Sequence, residues 1–208
     1  ANKTVFFIIG LLLIVLGISM LVPYSIQILY NENSHSFISS AFVTVFIGVL
    51  LMLANLEKDF KLNLQQTFLF STFAWVSVAF FGSIPFILSP MTFTFSEAFF
   101  ESMSGITTTG ATVITDLDSS PKSILIWRAI MQWLGGIGIV VMAITILPLL
   151  NVGGMQLFKM EGPDTTEKIL PRTIQVATII ILIYVALTSA CAFFYFIFGM
   201  SLFDSLAH

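Results

Sequence analysis

A nine-residue stretch near the middle of the chain combines small, polar and conformationally permissive residues. It reads Ser104-Gly105-Ile106-Thr107-Thr108-Thr109-Gly110-Ala111-Thr112 and holds four threonines and two glycines. A dehydrated cation needs oxygen atoms in place of its water shell, and backbone carbonyls supply them without fixed charge. Threonine favours extended backbone over helix, and Gly110 can adopt dihedrals that turn successive carbonyls to one side. The stretch is therefore predicted to be an ion-selectivity filter.

The alternative is an ordinary polar loop between two membrane helices, with glycines for turns and threonines for solubility. Non-helical backbone at membrane depth is tolerated only inside protein or along a water-filled cavity. The short, polar stretch lies between two long apolar segments. Its position between these segments favours the filter.

The ten residues 95–104 are predicted to form a short helix that positions this stretch. Thr94 or Ser96 can cap it, and Glu97 falls in its first turn. Such a helix is about 12 to 15 Å long, so it must enter and leave the membrane by the same face. Its C-terminal end carries a partial negative charge, which favours a cation. Gly105 is predicted to mark its exit.

Composition places the whole chain in a membrane. Hydrophobic residues make up 57%, charged residues 9%, and the mean hydropathy is +1.01, values that exclude a soluble globular domain. Cys191 is the only cysteine, so no disulfide can form within the chain. The chain begins at Ala1 and is expected to be a fragment of a longer protein. A cleaved signal peptide is not expected, because the first apolar run is too long.

Five long apolar segments reach the roughly 20 residues needed to cross a bilayer. They are predicted at residues 5–29, 37–56, 64–88, 124–151 and 173–198. Pro23 is expected to bend the first. Gly135, Gly136 and Gly138 in the fourth allow either close helix packing, which we favour, or a gating hinge. The predicted fold class is all-α integral membrane: five transmembrane helices plus a re-entrant pore helix and an extended filter loop, a helix-filter-helix repeat like that of potassium channels.

The distribution of basic residues predicts the orientation. With a cytoplasmic N-terminus, six basic residues lie inside and two outside, as the positive-inside rule favours. The six are Lys3, Lys58, Lys61, Lys159, Lys168 and Arg172, and the two are Lys122 and Arg128. The outer side then carries six carboxylates that are expected to concentrate cations, although simple loop solvation is preferred for the first and last. These are Glu32, Glu97, Glu101, Asp116, Asp118 and Asp204.

Two other functional classes are weaker. A membrane-embedded enzyme or redox subunit would need ligands or an activated group within a span, but His35 and His208 both fall in polar outer segments. A proton-coupled carrier would need ionisable groups at mid-membrane, and the predicted spans lack them. Arg128, near the start of the fourth span, could snorkel outward, pair with Glu101 beneath the filter, or form an electrostatic barrier to cations.

The end of the chain suggests a second repeat. Phe100-Glu101-Ser102-Met103-Ser104 is echoed by Phe203-Asp204-Ser205-Leu206-Ala207, again after a long apolar span. The predicted domains are two N-terminal transmembrane helices at residues 1–62, a first helix-filter-helix repeat at 63–155, and at 156–208 a cytoplasmic connector with the start of a second repeat, cut off before its filter.

Four motifs together resemble the Trk/Ktr potassium-uptake family, and within it the TrkH-type membrane subunit. They are Ala98-Phe99-Phe100-Glu101-Ser102, Thr107-Thr108-Thr109-Gly110-Ala111-Thr112, Trp133-Leu134-Gly135-Gly136-Ile137-Gly138-Ile139 and Ile146-Leu147-Pro148-Leu149-Leu150-Asn151-Val152-Gly153-Gly154-Met155-Gln156-Leu157. The resemblance runs over nearly the whole chain. It implies a pore of four such repeats, of which only one filter strand is present here.

The resemblance also implies the site, the ion and the partners. Gly110 matches the filter glycine, and the potassium-coordinating carbonyls are expected around Thr108 and Thr109, flanked by Thr107 and Ala111. Potassium would be the transported ion, with no cofactor and no enzyme activity. A homodimer in the bacterial inner membrane is implied, docking a cytoplasmic nucleotide-binding TrkA-type regulatory subunit and contacting lipid but no nucleic acid. A less selective potassium/sodium transporter and a non-pore membrane subunit remain alternatives.

Overall fold

The computed structural model of the chain describes residues 2–32, 34–56, 63–150 and 166–208. All regular structure in these residues is helical. Five helical stretches are long and apolar enough to cross a membrane, which confirms the all-α class and the number of predicted spans. They are Lys3–Leu29, Ser36–Ala54, Gln65–Ile87, Lys122–Val140 and Gln175–Ile197. The charged connector at 57–61 and the predicted motif residues beyond 150 lie outside the described residues.

The described chain divides into two compact units, residues 1–136 and 137–208, each considered by itself below. This boundary falls inside a helix and does not test the predicted division at 62 and 155, which stays a prediction. Eight helices follow in chain order among the described residues: α1 Lys3–Ser19, α2 Leu21–Leu29, α3 Ser36–Ala54, α4 Leu64–Ile87, α5 Phe95–Ile106, α6 Lys122–Leu150, α7 Thr166–Ile197 and α8 Leu202–Ala207.

The first predicted span is interrupted at Met20, which separates α1 from α2. Pro23 lies three residues further on, and its ring nitrogen cannot donate to the carbonyl of Ser19. The chain nevertheless continues in the same general course, because the amide of Met20 donates to Leu16 at 3.2 Å and that of Tyr24 donates to Met20 at 3.1 Å. The disturbance that the proline was predicted to cause therefore appears one turn before it.

Glycines allow α1 and α3 to pack at close range. A Cβ added at Gly10 would lie 2.6 Å from the carbonyl oxygen of Gly48, and one added at Gly48 would lie 2.8 Å from that of Gly10. Small residues at a crossing let two membrane helices approach closely enough for backbone contact. The N-terminal pair of spans is thus held together by packing along its length.

Helices α3, α4 and α6 meet around Trp127, a buried tryptophan on α6. The Nε1–H of Trp127 donates to the carbonyl of Gly82 on α4 at 3.0 Å, and its ring packs edge-on against Phe37 of α3 with centroids 5.9 Å apart. Trp127 and Phe37 are both fully buried. Helices α3, α4 and α6 therefore share one core within residues 1–136.

Glu32 gives that core a second link. Its carboxylate accepts from the amide of Ser123 at 3.3 Å and from the hydroxyl of the same residue. Ser123 lies in the first turn of α6, where amide groups have no partner within the helix. The preference for Glu32 as a residue that only solvates a loop is therefore wrong, because it caps α6 from a loop 91 residues earlier in sequence.

The second unit ends in a short helix whose cap repeats that of α5. Ser201 caps α8 by accepting from the amide of Asp204 at 3.1 Å, as Thr94 accepts from the amide of Glu97 in α5. By this role Asp204 corresponds to Glu97, whereas the predicted repeat aligned it with Glu101. A second short helix is present, but the alignment deduced from five residues was displaced by about one turn.

Candidate cation site

The short helix α5 begins as predicted, and Thr94 is its cap. The amide of Glu97 donates to the Thr94 hydroxyl oxygen at 3.4 Å, and the Glu97 carboxylate accepts from the Thr94 amide at 2.8 Å. This reciprocal capping box pairs amides at the helix start. The hydrogen bond from the Thr94 backbone, followed by that from its hydroxyl, holds the pKa of the exposed Glu97 carboxyl below its ordinary value.

The helix ends at Ile106, two residues later than predicted. Gly105 was expected to mark the exit, but it lies within the helix, where an added Cβ would come 3.0 Å from the Cβ of Met131 on α6. Gly105 therefore serves close packing between two helices. The chain turns out of the helix at the threonines that follow.

The turn is built around Thr108, which has a φ of 57°. Its amide donates to the carbonyl of Gly105 at 2.9 Å, and the amide of Thr109 donates to Ser104 at 3.0 Å, the pairing of a Schellman motif. Glycine is usual at the left-handed position of this motif, and a β-branched residue there is strained. The expectation of extended backbone is wrong at Thr107 and Thr108, because hydrogen bonds to the last carbonyls of α5 outweigh the β propensity of threonine.

The same hydrogen bonds fix where the carbonyls point. The amides of Thr108, Thr109 and Gly110 all aim at the last carbonyls of α5, the third at Ser104 over 3.4 Å. No cis peptide is present among the described residues, and in a trans peptide the carbonyl points opposite to the following amide. The carbonyls of Thr107, Thr108 and Thr109 therefore point away from the helix end. Gly110 has a φ of 75°, as its predicted role requires.

The predicted site residues are brought together on one exposed loop. Residues 107–111 are all exposed, and the hydroxyls of Thr107 and Thr109 lie 2.9 Å apart. Ala111 differs from the others, because its carbonyl accepts from the Ser104 hydroxyl at 2.6 Å and so points back toward α5. The positive φ of Thr108 was not predicted from the sequence, because a threonine does not indicate left-handed backbone.

A buried ion pair supports the loop from behind. The Glu101 side chain is 1% exposed and that of Arg128 11%, with 2.5 Å between Nη1 and Oε2. The Glu101 carboxylate also accepts from the Thr112 hydroxyl and the Val113 amide, each at 2.6 Å. Arg128 donates to the same hydroxyl at 2.5 Å. Of the three interpretations of Arg128, pairing with Glu101 is confirmed.

Helix α6 also packs against the end of α5, directly before the loop. A Cβ added at Gly135 would collide with the carbonyl oxygen of Ile106, the last residue of α5, whereas one added at Gly138 would meet nothing within 4 Å. Close packing, the favoured interpretation of the glycine run, is confirmed for Gly135. The start of the loop is thus fixed where Ile106 of α5 packs on Gly135 of α6. Its end is fixed by Glu101 of α5 and Arg128 of α6.

An open cavity lies between the start of α5 and the segment 113–121 that follows the loop. It has a volume of about 380 Å³, and the carboxylates of Glu97 and Asp116 are among the groups lining it. Glu101 was grouped with these carboxylates in the sequence, but it is buried and paired. Two carboxylates at an open cavity favour cations over anions.

Fold and site define a multi-pass, all-helical membrane protein in which a short helix presents a row of backbone carbonyls. A profile of the TrkH family, described as a cation transport protein, matches residues 33–204. The chain belongs to this family.

Similar proteins agree with that assignment. The Trk system potassium uptake protein TrkH of Escherichia coli (strain K12) is 41% identical over 205 residues, which make up 97% of this chain and 42% of that protein. The Trk system potassium uptake protein TrkG of the same organism is 34% identical over 203 residues, covering 96% of this chain and 42% of its own.

The structural match is of the same extent. The crystal structure of the potassium transporter TrkH from Vibrio parahaemolyticus superposes with a TM-score of 0.86 at 36% identity, covering 99% of this chain and 42% of that one. The chain therefore spans less than half the length of the relatives that it matches.

Proposed function

We propose that this chain supplies the first helix-filter-helix repeat of a pore for potassium uptake. The carbonyls of Thr107, Thr108 and Thr109 coordinate the dehydrated ion together with Gly110, whose left-handed φ continues the loop. Ala111 was included in the predicted set, but its carbonyl is engaged by Ser104, so we assign it to support of the loop. Potassium is the transported ion, as the names of the relatives suggest.

One observation carries the proposal. The amides of Thr108, Thr109 and Gly110 donate to carbonyls at the end of α5. The carbonyl of the residue before each amide therefore faces the opposite, exposed side and receives no hydrogen bond from these amides. Bare carbonyl oxygens in a row form the oxygen-rich surface that replaces a cation's water shell.

A complete pore needs more than this loop. One row of carbonyls covers one side of an ion, and the relatives are more than twice as long as the part matched here. We propose that the chain is part of a longer protein whose further repeats surround the ion. The exposure of residues 107–111 is consistent with a lining surface completed by other repeats.

The setting follows from the basic residues and from the family. We propose an inner-membrane protein with its N-terminus in the cytoplasm and the α5 loop entering from outside as a re-entrant segment. Re-entry suits the 12 residues of α5, which are too few to span a bilayer. A homodimer that docks a TrkA-type regulatory subunit on its cytoplasmic face is the proposed assembly, consistent with a name that denotes a system.

Rubidium and sodium flux into liposomes containing the full-length protein tests the proposal. We expect rubidium, a potassium substitute, to enter in preference to sodium. Gly110→Asp should abolish flux or remove the preference, because it adds a charge and a Cβ where φ is 75°. Gly199→Asp is a matched control, since Gly199 also has a positive φ, of 101°, and nothing within 4 Å of its added Cβ.

The two variants separate a filter from a polar loop. If Gly110→Asp keeps the rubidium preference while the protein folds, the loop is not the filter. If sodium enters as readily as rubidium in the unchanged protein, the less selective potassium/sodium transporter is the better description. An absence of flux of either ion in folded protein would favour a non-pore subunit.

A further inference from the structure

A second cavity lies apart from the exposed loop 107–111, which we call the carbonyl loop. It is found where the N-terminal helices meet the start of α6. Its volume is about 320 Å³. The lining comes from the end of α2, the loop before α3, the loop after α4 and the first turn of α6. Its residues are Gln27, Glu32, Ser34, Ser36, Ser89, Pro90, Pro121, Ser123 and Ile124.

Gln27 is one of the lining residues, and its side chain is buried. The residue is 3% exposed, and its Nε2 donates to the Ser36 hydroxyl oxygen at 3.0 Å. Its Oε1 has no hydrogen-bond partner among the described residues. A buried amide oxygen without a partner costs free energy comparable to a lost hydrogen bond, so a ligand that offers positive charge would be stabilised there.

The rest of the lining includes one carboxylate, four serine hydroxyls and two prolines. Glu32 places a carboxylate there, and its contacts with the Ser123 amide and hydroxyl leave further lone pairs on both oxygens. Pro90 and Pro121 have no amide hydrogen to donate. The lining residues include no lysine or arginine. One carboxylate among neutral oxygens balances one positive charge.

We propose that this cavity binds an alkali-metal cation, sodium or potassium, with Gln27 Oε1 and the Glu32 carboxylate as principal ligands. Hard cations prefer carboxylate and amide oxygens, and a divalent ion would leave charge unbalanced. A bound cation would join α2 to the start of α6 through the carboxylate that already caps that helix. The site is separate from the carbonyl loop and does not depend on the proposed filter.

Thermal unfolding of the full-length protein in sodium, potassium or choline chloride at equal concentration tests the site. We expect the midpoint in one alkali-metal salt to exceed that in choline by roughly 2 °C or more, with the more effective salt identifying the ion. Gln27→Leu should remove most of this rise. Gln65→Leu is the matched control, because Gln65 lies on an exposed face and should keep the rise.

A second variant, Glu32→Gln, tests the site even if Gln27→Leu does not fold. Glu32→Gln removes the charge yet can still accept from Ser123, so it should also remove the rise. Because potassium in the filter could stabilise the protein too, each comparison is repeated with Gly110→Asp, where the dependence on Gln27 should persist. An equal rise in all variants, or none in the unchanged protein, would overturn the site, and the cavity would then hold water only.

Discussion

Two carboxylates of α5, four residues apart, lie in opposite environments. Glu97, near the start, is exposed and completes a capping box with Thr94. Glu101, one turn later, is buried against Arg128 and holds Thr112 and Val113. The first carboxylate stabilises only its own helix, whereas the second fixes the far end of the carbonyl loop to the helix. The difference shows that burial and partners, and not residue type, decide which acid supports the site.

The largest expected effect comes from removing the buried acid. Glu101→Ala leaves Arg128 without its partner and the Val113 amide without its acceptor, which should cost about 3 to 5 kcal/mol. Thermal unfolding and the yield of monodisperse full-length protein measure it. Glu97→Gln should leave both nearly unchanged. Equal losses in the two variants would contradict the contrast between the two carboxylates.

A smaller effect is expected from the hydroxyl that binds the loop. Ser104→Ala removes the 2.6 Å bond to the Ala111 carbonyl and should cost about 1 kcal/mol, with a several-fold lower preference for rubidium over sodium in liposome flux. Ser102→Ala is the matched control on the same helix, because the Ser102 hydroxyl is buried without a partner in the described structure. It should lower neither stability nor preference, because no hydrogen bond is lost. A drop in preference with Ser102→Ala instead would show that general packing, not the bond to Ala111, sets the loop.

The smallest effect concerns acid pH at the exposed end. The folded-state pKa of Glu97 is lowered from 4.5, so its stabilising contribution is complete above the ordinary carboxyl pKa and is lost as pH falls through the lowered value. The unchanged protein should lose slightly more thermal stability than Glu97→Gln on acidification from about pH 6 through that range. Parallel pH curves for the two proteins would contradict this role for the carboxylate.

Sequence patterns predicted the elements better than the turn between them. Apolar length and composition were enough for the five spans, and Thr94 followed three residues later by Glu97 was enough for the start of α5. The end of α5 was misplaced because Gly105 was taken as an exit, when contact with Met131 on α6 requires its small size. Such a contact depends on how two helices cross, which local residue preferences do not encode.

The carbonyl loop was located correctly, but its geometry was not. Gly110 was expected to have an unusual backbone and does, with a φ of 75°. The extended conformation expected of the threonines gave way at Thr108 to hydrogen bonds with the end of α5. Glu101 and Arg128 could be paired from sequence only as one of three alternatives, since 27 residues separate them. Long-range partners of this kind become certain only once the helices are placed.

We propose that backbone carbonyls held by the turn at Thr108 coordinate the ion. Rubidium and sodium flux through full-length Thr108→Gly and Thr108→Pro tests this most directly. Glycine accepts the φ of 57° without strain and keeps the carbonyl, so we expect the rubidium preference to persist. Proline fixes φ near −65° and removes the amide bonded to Gly105, so the preference should be lost. Loss of preference in folded Thr108→Gly, or its persistence in Thr108→Pro, would contradict coordination by a backbone held in this turn.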